Sequence, residues 1–221
     1  MQNLASGMRI AKIVKSNSHV DYVGRVIDRL EVAEPPSPEQ YRFGQFVLIR
    51  PDRRQADASN EGSSKIESAT DGSVGVIYNS QLVNPDYERL GPRLSSPAEM
   101  NTVFSPDLLN EQGVLIGVLL VGWVDPDSNR HQGVPRTVIP VNSEIVTMDE
   151  EQVRAFHIEP EGGLALHYYS HVMTHARQFA QQLLLSVIDQ LDALSSGVSR
   201  PELALLRRTL NWQLVFQNKS L

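Results

Sequence analysis

His167, His171 and His175, in the stretch "HYYSHVMTHAR", stand at i, i+4 and i+8, spacings that stack imidazoles along one side of a helix. Two imidazoles one turn apart supply half of a zinc site. A hydrolytic centre needs a third ligand and an open position for water. The third would have to come from His157 or from a neighbouring chain, and no glutamate follows the first histidine as in the H-E-x-x-H pattern of zinc peptidases. With Tyr169 set at zero and 100° per residue, Val172, Met173, Ala176, Ala180, Leu183 and Val187 fall within about 60° of it. On the same wheel the three histidines fall at roughly 160°, 200° and 240°, a sector shared with Gln178, Gln182 and Asp189. The ladder therefore reads as a polar, solvated face opposite the core. Metal ligation is the lesser expectation, and partial protonation near pH 6.5 is the route by which these residues would tune a partner contact.

Other chemical signatures are sparse. A phosphate-binding loop, G-x-x-x-x-G-K-[ST], is absent, and so are G-x-G-x-x-G and G-x-S-x-G. The sequence has no cysteine, which removes disulfides, thiolate metal sites and a thiol nucleophile. "DPDSNR" (125 to 130) begins like a calcium loop, but Arg130 replaces the required glycine and Arg136 the closing glutamate, so a hairpin turn is expected. Tyr41 and Phe43 beside Gly44 read as rim packing before they read as the wall of a ligand site, and "VNSE" (141 to 144) as a tight turn. No acid–base constellation emerges from the sequence, so no catalytic residue, cofactor or firm metal ligand is assigned.

Composition sets the class. The chain has 221 residues, 41 % of them hydrophobic and 21 % charged, as in an ordinary globular protein. Its 20 basic and 26 acidic residues give a formal charge of −6, whereas proteins that bind duplex DNA unaided carry a basic footprint. Contact with DNA is therefore expected only indirectly. The longest apolar run, "GVLIGVLLVGWV" (113 to 124), is well short of the roughly 20 residues that span a bilayer, and the first residues lack the apolar core of a signal peptide. The expected compartment is the cytoplasm, with no direct membrane contact.

Two halves differ in period. Up to about residue 147, "RIAKIV" (9 to 14), "HVDYVGRVIDRLEV" (19 to 32), "GQFVLIRP" (44 to 51), "SVGVIYNS" (73 to 80), "GVLIGVLLVGWV" and "RTVIPV" (136 to 141) are short, Val/Ile-rich runs punctuated by Gly, Pro and Asn. Glycines within them (Gly24, Gly75, Gly117, Gly122) suggest the bulges and coiling that close a small barrel. Residues 52 to 73 read as a mobile loop and 81 to 112 as a helical insertion, with helix-start signals at "SSPAEM" and "SPDLLNEQ". After residue 147 the period becomes helical. Thr147 with Glu150, and Ser199 with Glu202, have capping-box spacing; one helix is expected from about 164 to 194 and another after Ser199. Leu203, Leu206, Leu210 and Leu214 form an apolar stripe on the last helix, with Arg207 and Arg208 beside it and Arg200 nearby as a small basic patch.

The run "AKIV…VGRVIDRL…RFGQFVLIRP…VGVIYNS…IGVLLVGW…VPRTVIPVNSEIVTMDEE", over roughly residues 8 to 150, resembles the HAS-barrel found at the N-terminus of HerA-type DNA-translocating ATPases and related to the barrels heading rotary ATP synthase subunits. In that family the barrel assists hexamer assembly and docks the NurA nuclease, and an ATPase domain follows. Here residues 148 to 221 carry a helical pattern instead. The resemblance implies an assembly or docking module, an accessory partner of a separately encoded HerA-type ATPase and nuclease. The segment "RFGQFVLIRP" is also similar to the P-G-Q-[FY]-V strand of flavin-binding reductase barrels, although the R-x-[YF]-[ST] strand of those enzymes is missing.

The expected protein is thus α+β: a small closed barrel of about six strands over 1 to 147, then a helical hairpin or bundle over 148 to 221. Two helices bury only part of their apolar stripes against each other, so the remainder must meet the barrel or another chain. A non-catalytic docking protein, homo-oligomeric and contacting its partner through Leu203, Leu206, Leu210, Leu214, Arg207 and Arg208, is the leading expectation. A flavin-binding barrel is the alternative.

Overall fold

The computed structural model describes residues 7–29, 31–51, 72–83, 113–159, 163–194 and 200–217. Six antiparallel strands close into a ring. β1 (Arg9–Ser16) pairs on one side with β2 (Asp21–Val26) and on the other with β7 (Glu144–Thr147). β2 continues to β5 (Gly113–Val124), β5 to β4 (Gly72–Val83), β4 to β3 (Phe46–Arg50), and β3 returns to β7. A seventh strand, β6 (Arg130–Gln132), lies outside the ring on β5.

The residues explain the closure. β3 is an unbroken apolar run, "FVLI", buried on both faces because side chains of one parity fill the barrel and the others meet the helical layer. Register shifts at Val74/Gly75 and Ile77/Asn79 bend the long β4–β5 ribbon, near the glycines whose position suggested bulges. At Gly122 a Cβ would strike the His131 carbonyl and the Phe156 ring, so only a bare backbone lets β6 and the first helix close over β5 together. The "DPDSNR" turn is a hairpin: Asp125 takes hydrogen bonds from Asn129 N (2.8 Å) and Nδ2 (3.0 Å), with Ser128 at φ 68°. "VNSE" is likewise structural, with Asn142 at φ 68° and its N–H on the Ile13 carbonyl at 2.9 Å.

Several local expectations are corrected. Residues 136–141 form no strand: Pro135 and Pro140 lack ladder donors, the segment bends at Arg136 and Thr137, and the Ile139 N–H donates to the Tyr22 hydroxyl at 3.1 Å. Gly72 and residues 81–83, expected in loop or insertion, belong to β4, because their backbone pairs with both ends of β5. The rest of those two segments, 52–71 and 84–112, lies outside the described residues, as does Ser199 with its expected capping box.

Four α-helices follow among the described residues. α1 (Glu150–His157) starts two residues later than the Thr147 pattern implies: Asp149 is the cap, accepting from Gln152 N at 2.8 Å, while the Gln152 side chain accepts from Asp149 N. Thr147 instead ends β7 and its Oγ1 accepts from Met8 N at 3.0 Å. The single helix expected over 164–194 is broken into α2 (Tyr169–His175) and α3 (Ala180–Leu194) by a 3-10 turn in which Arg177 is left-handed, φ 52°. The break lets α2 follow β5 while α3 lies along the barrel rim, where Gln190 Nε2 donates to the Gly44 carbonyl at 2.9 Å. Gly44 itself has φ +82°. α4 (Arg200–Gln217) packs on α3. One core runs through the barrel and under the helices, from Ile10 and Val118 to Tyr168, Leu183, Leu203 and Leu210.

Candidate functional site

The apolar stripe of α4 is divided between two surfaces. Leu203 and Leu210 are buried, and Leu206 is partly buried against the core. These leucines fix α4 to the core beneath it. Leu214 lies in α4, but its side chain is outside the described residues, as is that of Arg200. Arg207 forms an ion pair with Asp189 of α3, which secures the helix pair, and Arg208 is exposed.

The outward side of the same helix is also apolar. Leu205 and Trp212 are each 67 % exposed. At 100° per residue Leu205, Arg208 and Trp212 lie within about 60° of one another and roughly opposite Leu203 and Leu210. A groove of about 420 Å³ opens beside this stripe between α3 and α4, with Ile188, Leu203 and Ala204 as its floor and Trp212, Arg208 and Asp192 on its walls. Tryptophan and arginine around an apolar concavity are the residue types that dominate binding energy at protein interfaces. The sequence stripe marks the side of α4 that is buried, and the exposed pair Leu205 and Trp212, seven residues apart, did not enter that reading.

The histidine ladder is not one uniform solvated face. His167 is exposed, its Nε2 3.5 Å from Glu159. His171 is half-buried against the barrel and its Nε2–H donates to the Leu120 carbonyl of β5 at 3.0 Å, so this residue fastens α2 to the strand. Burial first, and the neighbouring His175 second, hold its pKa below the ordinary imidazole value. The His171 and His175 rings lie 4.5 Å apart, centroid to centroid. Among the described residues no group of three or more His, Asp or Glu is arranged to hold a metal ion.

His157 has a place that its sequence position did not suggest. It is wholly buried; its Nδ1–H donates to the Val153 carbonyl at 2.7 Å and its Nε2 accepts the Tyr168 hydroxyl at 2.6 Å. The carbonyl can only accept, which fixes the neutral tautomer. Phe46 and Phe156 stand edge-on at 5.0 Å each. Burial lowers its pKa to about 4 and pushes that of Tyr168 well up. Neither group can exchange a proton with solvent in place; they join α1 to α2. The signal was available, since Val153, Phe156 and His157 share one side of a helix.

Two further polar contacts are structural in the same sense. Tyr78 donates to Asp21 at 2.9 Å, and burial together with that carboxylate raises the phenol to about 12. Asp125, held down to about 2 chiefly by its hydrogen bond with His131 (2.9 Å), closes the β5–β6 hairpin while the His131 ring stacks on Trp123. Around "RFGQFVLIRP", Phe43 packs edge-on against Phe179 at 6.2 Å, and the Gln45 side chain donates to the Phe46 and Met148 carbonyls.

No curated protein matches the sequence. The model of a family described as a domain of unknown function, DUF8166, matches residues 1–219, nearly the whole length. A closed six-stranded barrel with an outer strand, four C-terminal helices and a grooved outer helix pair is the form it takes here, and the chain belongs to the DUF8166 family.

Proposed function

We propose that the protein is a non-catalytic docking module in which the barrel is the rigid base and the α3–α4 pair carries the contact surface. The observation behind this reading is that α4 is apolar on two opposite sides. One side, Leu203 and Leu210, is buried in the core; the other, Leu205 and Trp212, faces outward beside an open groove. Contiguous exposed apolar patches mark interaction sites, and Leu205 and Trp212 extend the apolar lining of the groove onto the surface of α4. The HAS-barrel resemblance supplies the class of partner, a separately encoded HerA-type ATPase together with the nuclease it serves, and a small closed barrel is what that resemblance implies. With a formal charge of −6, the chain would reach DNA through that partner. Self-association belongs to the same reading. The flavin alternative has less support, because Phe43 and Gln45 are engaged in internal contacts.

Affinity purification of the full chain from its source organism, with identification of co-eluting chains and light scattering of the purified protein, tests the proposal. A stoichiometric phosphate-loop ATPase among the co-eluting chains is the expected result. A strict monomer that recovers no partner would overturn it.

A further inference from the structure

We infer that the outward face of α4 and the adjoining groove receive an acidic amphipathic helix from another protein, not a second copy of this chain. The inference rests on the docking reading above and names the partner's chemistry. Leu205, Arg208 and Trp212 stand at i, i+3 and i+7, one stripe along the exposed side of α4, with the cation between the two apolar anchors. Arg208 forms no ion pair among the described residues, whereas its neighbour Arg207 is tied to Asp189. A twofold arrangement that lays this stripe on itself in antiparallel fashion would set Leu205 against Trp212 of the other copy and bring the two Arg208 side chains together at the axis. No acid on the stripe would answer them, and like charges face to face disfavour such a contact. A foreign helix with apolar residues one to two turns apart and a carboxylate between them satisfies the same surface: its anchors enter over Ile188, Leu203 and Ala204, and its acid pairs with Arg208.

The test uses the full chain and three labelled helical peptides that share leucines at i and i+7 and differ only in Glu, Gln or Lys at i+4, with binding read by fluorescence anisotropy. The Glu peptide should bind best, roughly tenfold weaker to Arg208→Glu and roughly thirtyfold weaker to Trp212→Ala. Arg208→Glu should in turn prefer the Lys peptide, a reversal that damage to the fold would not produce. Equal binding of all three peptides, or no binding of any, overturns the inference, as does a dimer in sedimentation that Trp212→Ala converts to monomer. If the native partner is still captured by the Arg208→Glu, Trp212→Ala double variant, the docking reading stands and only the α4 assignment falls. If the unaltered chain captures no partner, the docking reading itself has failed.

Discussion

The Tyr168 hydroxyl lies 2.6 Å from Nε2 of His157, and neither side chain is accessible to solvent. This single donor–acceptor pair joins α1 to the start of α2 and completes an aromatic cluster with Phe46 and Phe156 under the barrel rim. Removing the hydroxyl alone leaves the imidazole lone pair buried and unanswered. Tyr168→Phe is expected to cost about 1–3 kcal/mol of stability, measured by urea denaturation, although it enlarges no cavity. A change within experimental error would show that a water enters to replace the hydroxyl.

The same imidazole makes stability depend on pH in a definite direction. Its folded pKa is about 4 and its unfolded value about 6.5, so above pH 6.5 both states hold it neutral and it contributes no pH dependence. As pH falls below 6.5 the unfolded chain takes up a proton that the native state refuses, and stability declines until about pH 4. The loss approaches about 3 kcal/mol if the whole shift is expressed. His157→Gln should flatten the melting temperature between pH 6.5 and 4 relative to the unaltered protein. An unchanged slope would assign the dependence to other groups, of which half-buried His171 is the next to examine.

Asp149, not Thr147, should be the residue on which α1 depends. Asp149→Ala removes the acceptor for Gln152 N and is expected to cost about 1 kcal/mol in chemical denaturation. Thr147→Ala removes the Met8 contact at the β1–β7 seam and should leave the helix content seen by circular dichroism unchanged.

Gly122→Ala and Gly113→Ala form a matched pair. The first places a methyl group into the His131 carbonyl and the Phe156 ring, an overpacking expected to cost about 1–3 kcal/mol or more. The second points into open space and should be close to neutral. Equal effects would mean that β6 and α1 yield at this point.

The two sides of α4 should separate cleanly. Leu210→Ala empties a fully buried site and is expected to cost about 2–5 kcal/mol. Leu205→Ala, on the exposed side, should change stability by less than about 0.5 kcal/mol while weakening partner binding.

The broad plan was legible because the sequence changes period near residue 147, from short β-branched runs to helical spacing, and every run but "RTVIPV" enters the barrel, whose remaining strand is β7. What escaped was set by contacts between distant segments. Nothing local in "THARQF" announces the left-handed Arg177; α2 and α3 separate because β5 and the Gly44 rim require different directions. The histidine wheel treated one helix in isolation and so left His171 in water, when a strand carbonyl waits beside it. In "RTVIPV" the hydrophobic content outweighed Pro135 just before it and Pro140 within it, which deny it a ladder. On the last helix the buried stripe was readable because its period is regular, whereas the outward Leu205 and Trp212 gain their meaning only once the opposite side is known to be covered.

The seam between β1 and β7 sets an order of events during synthesis. Arg9 meets Val146 and Lys12 meets Glu144, so the ring remains an open ribbon until the segment around residue 146 has left the ribosome. Through that interval the β1 and β3 margins present unsatisfied amides of the kind that recruit stray strands. The late-arriving "SEIVT" segment is therefore a latch whose docking ends a period of vulnerability, and changes that weaken it should show first as poor yield in the cell, ahead of any loss in the finished molecule.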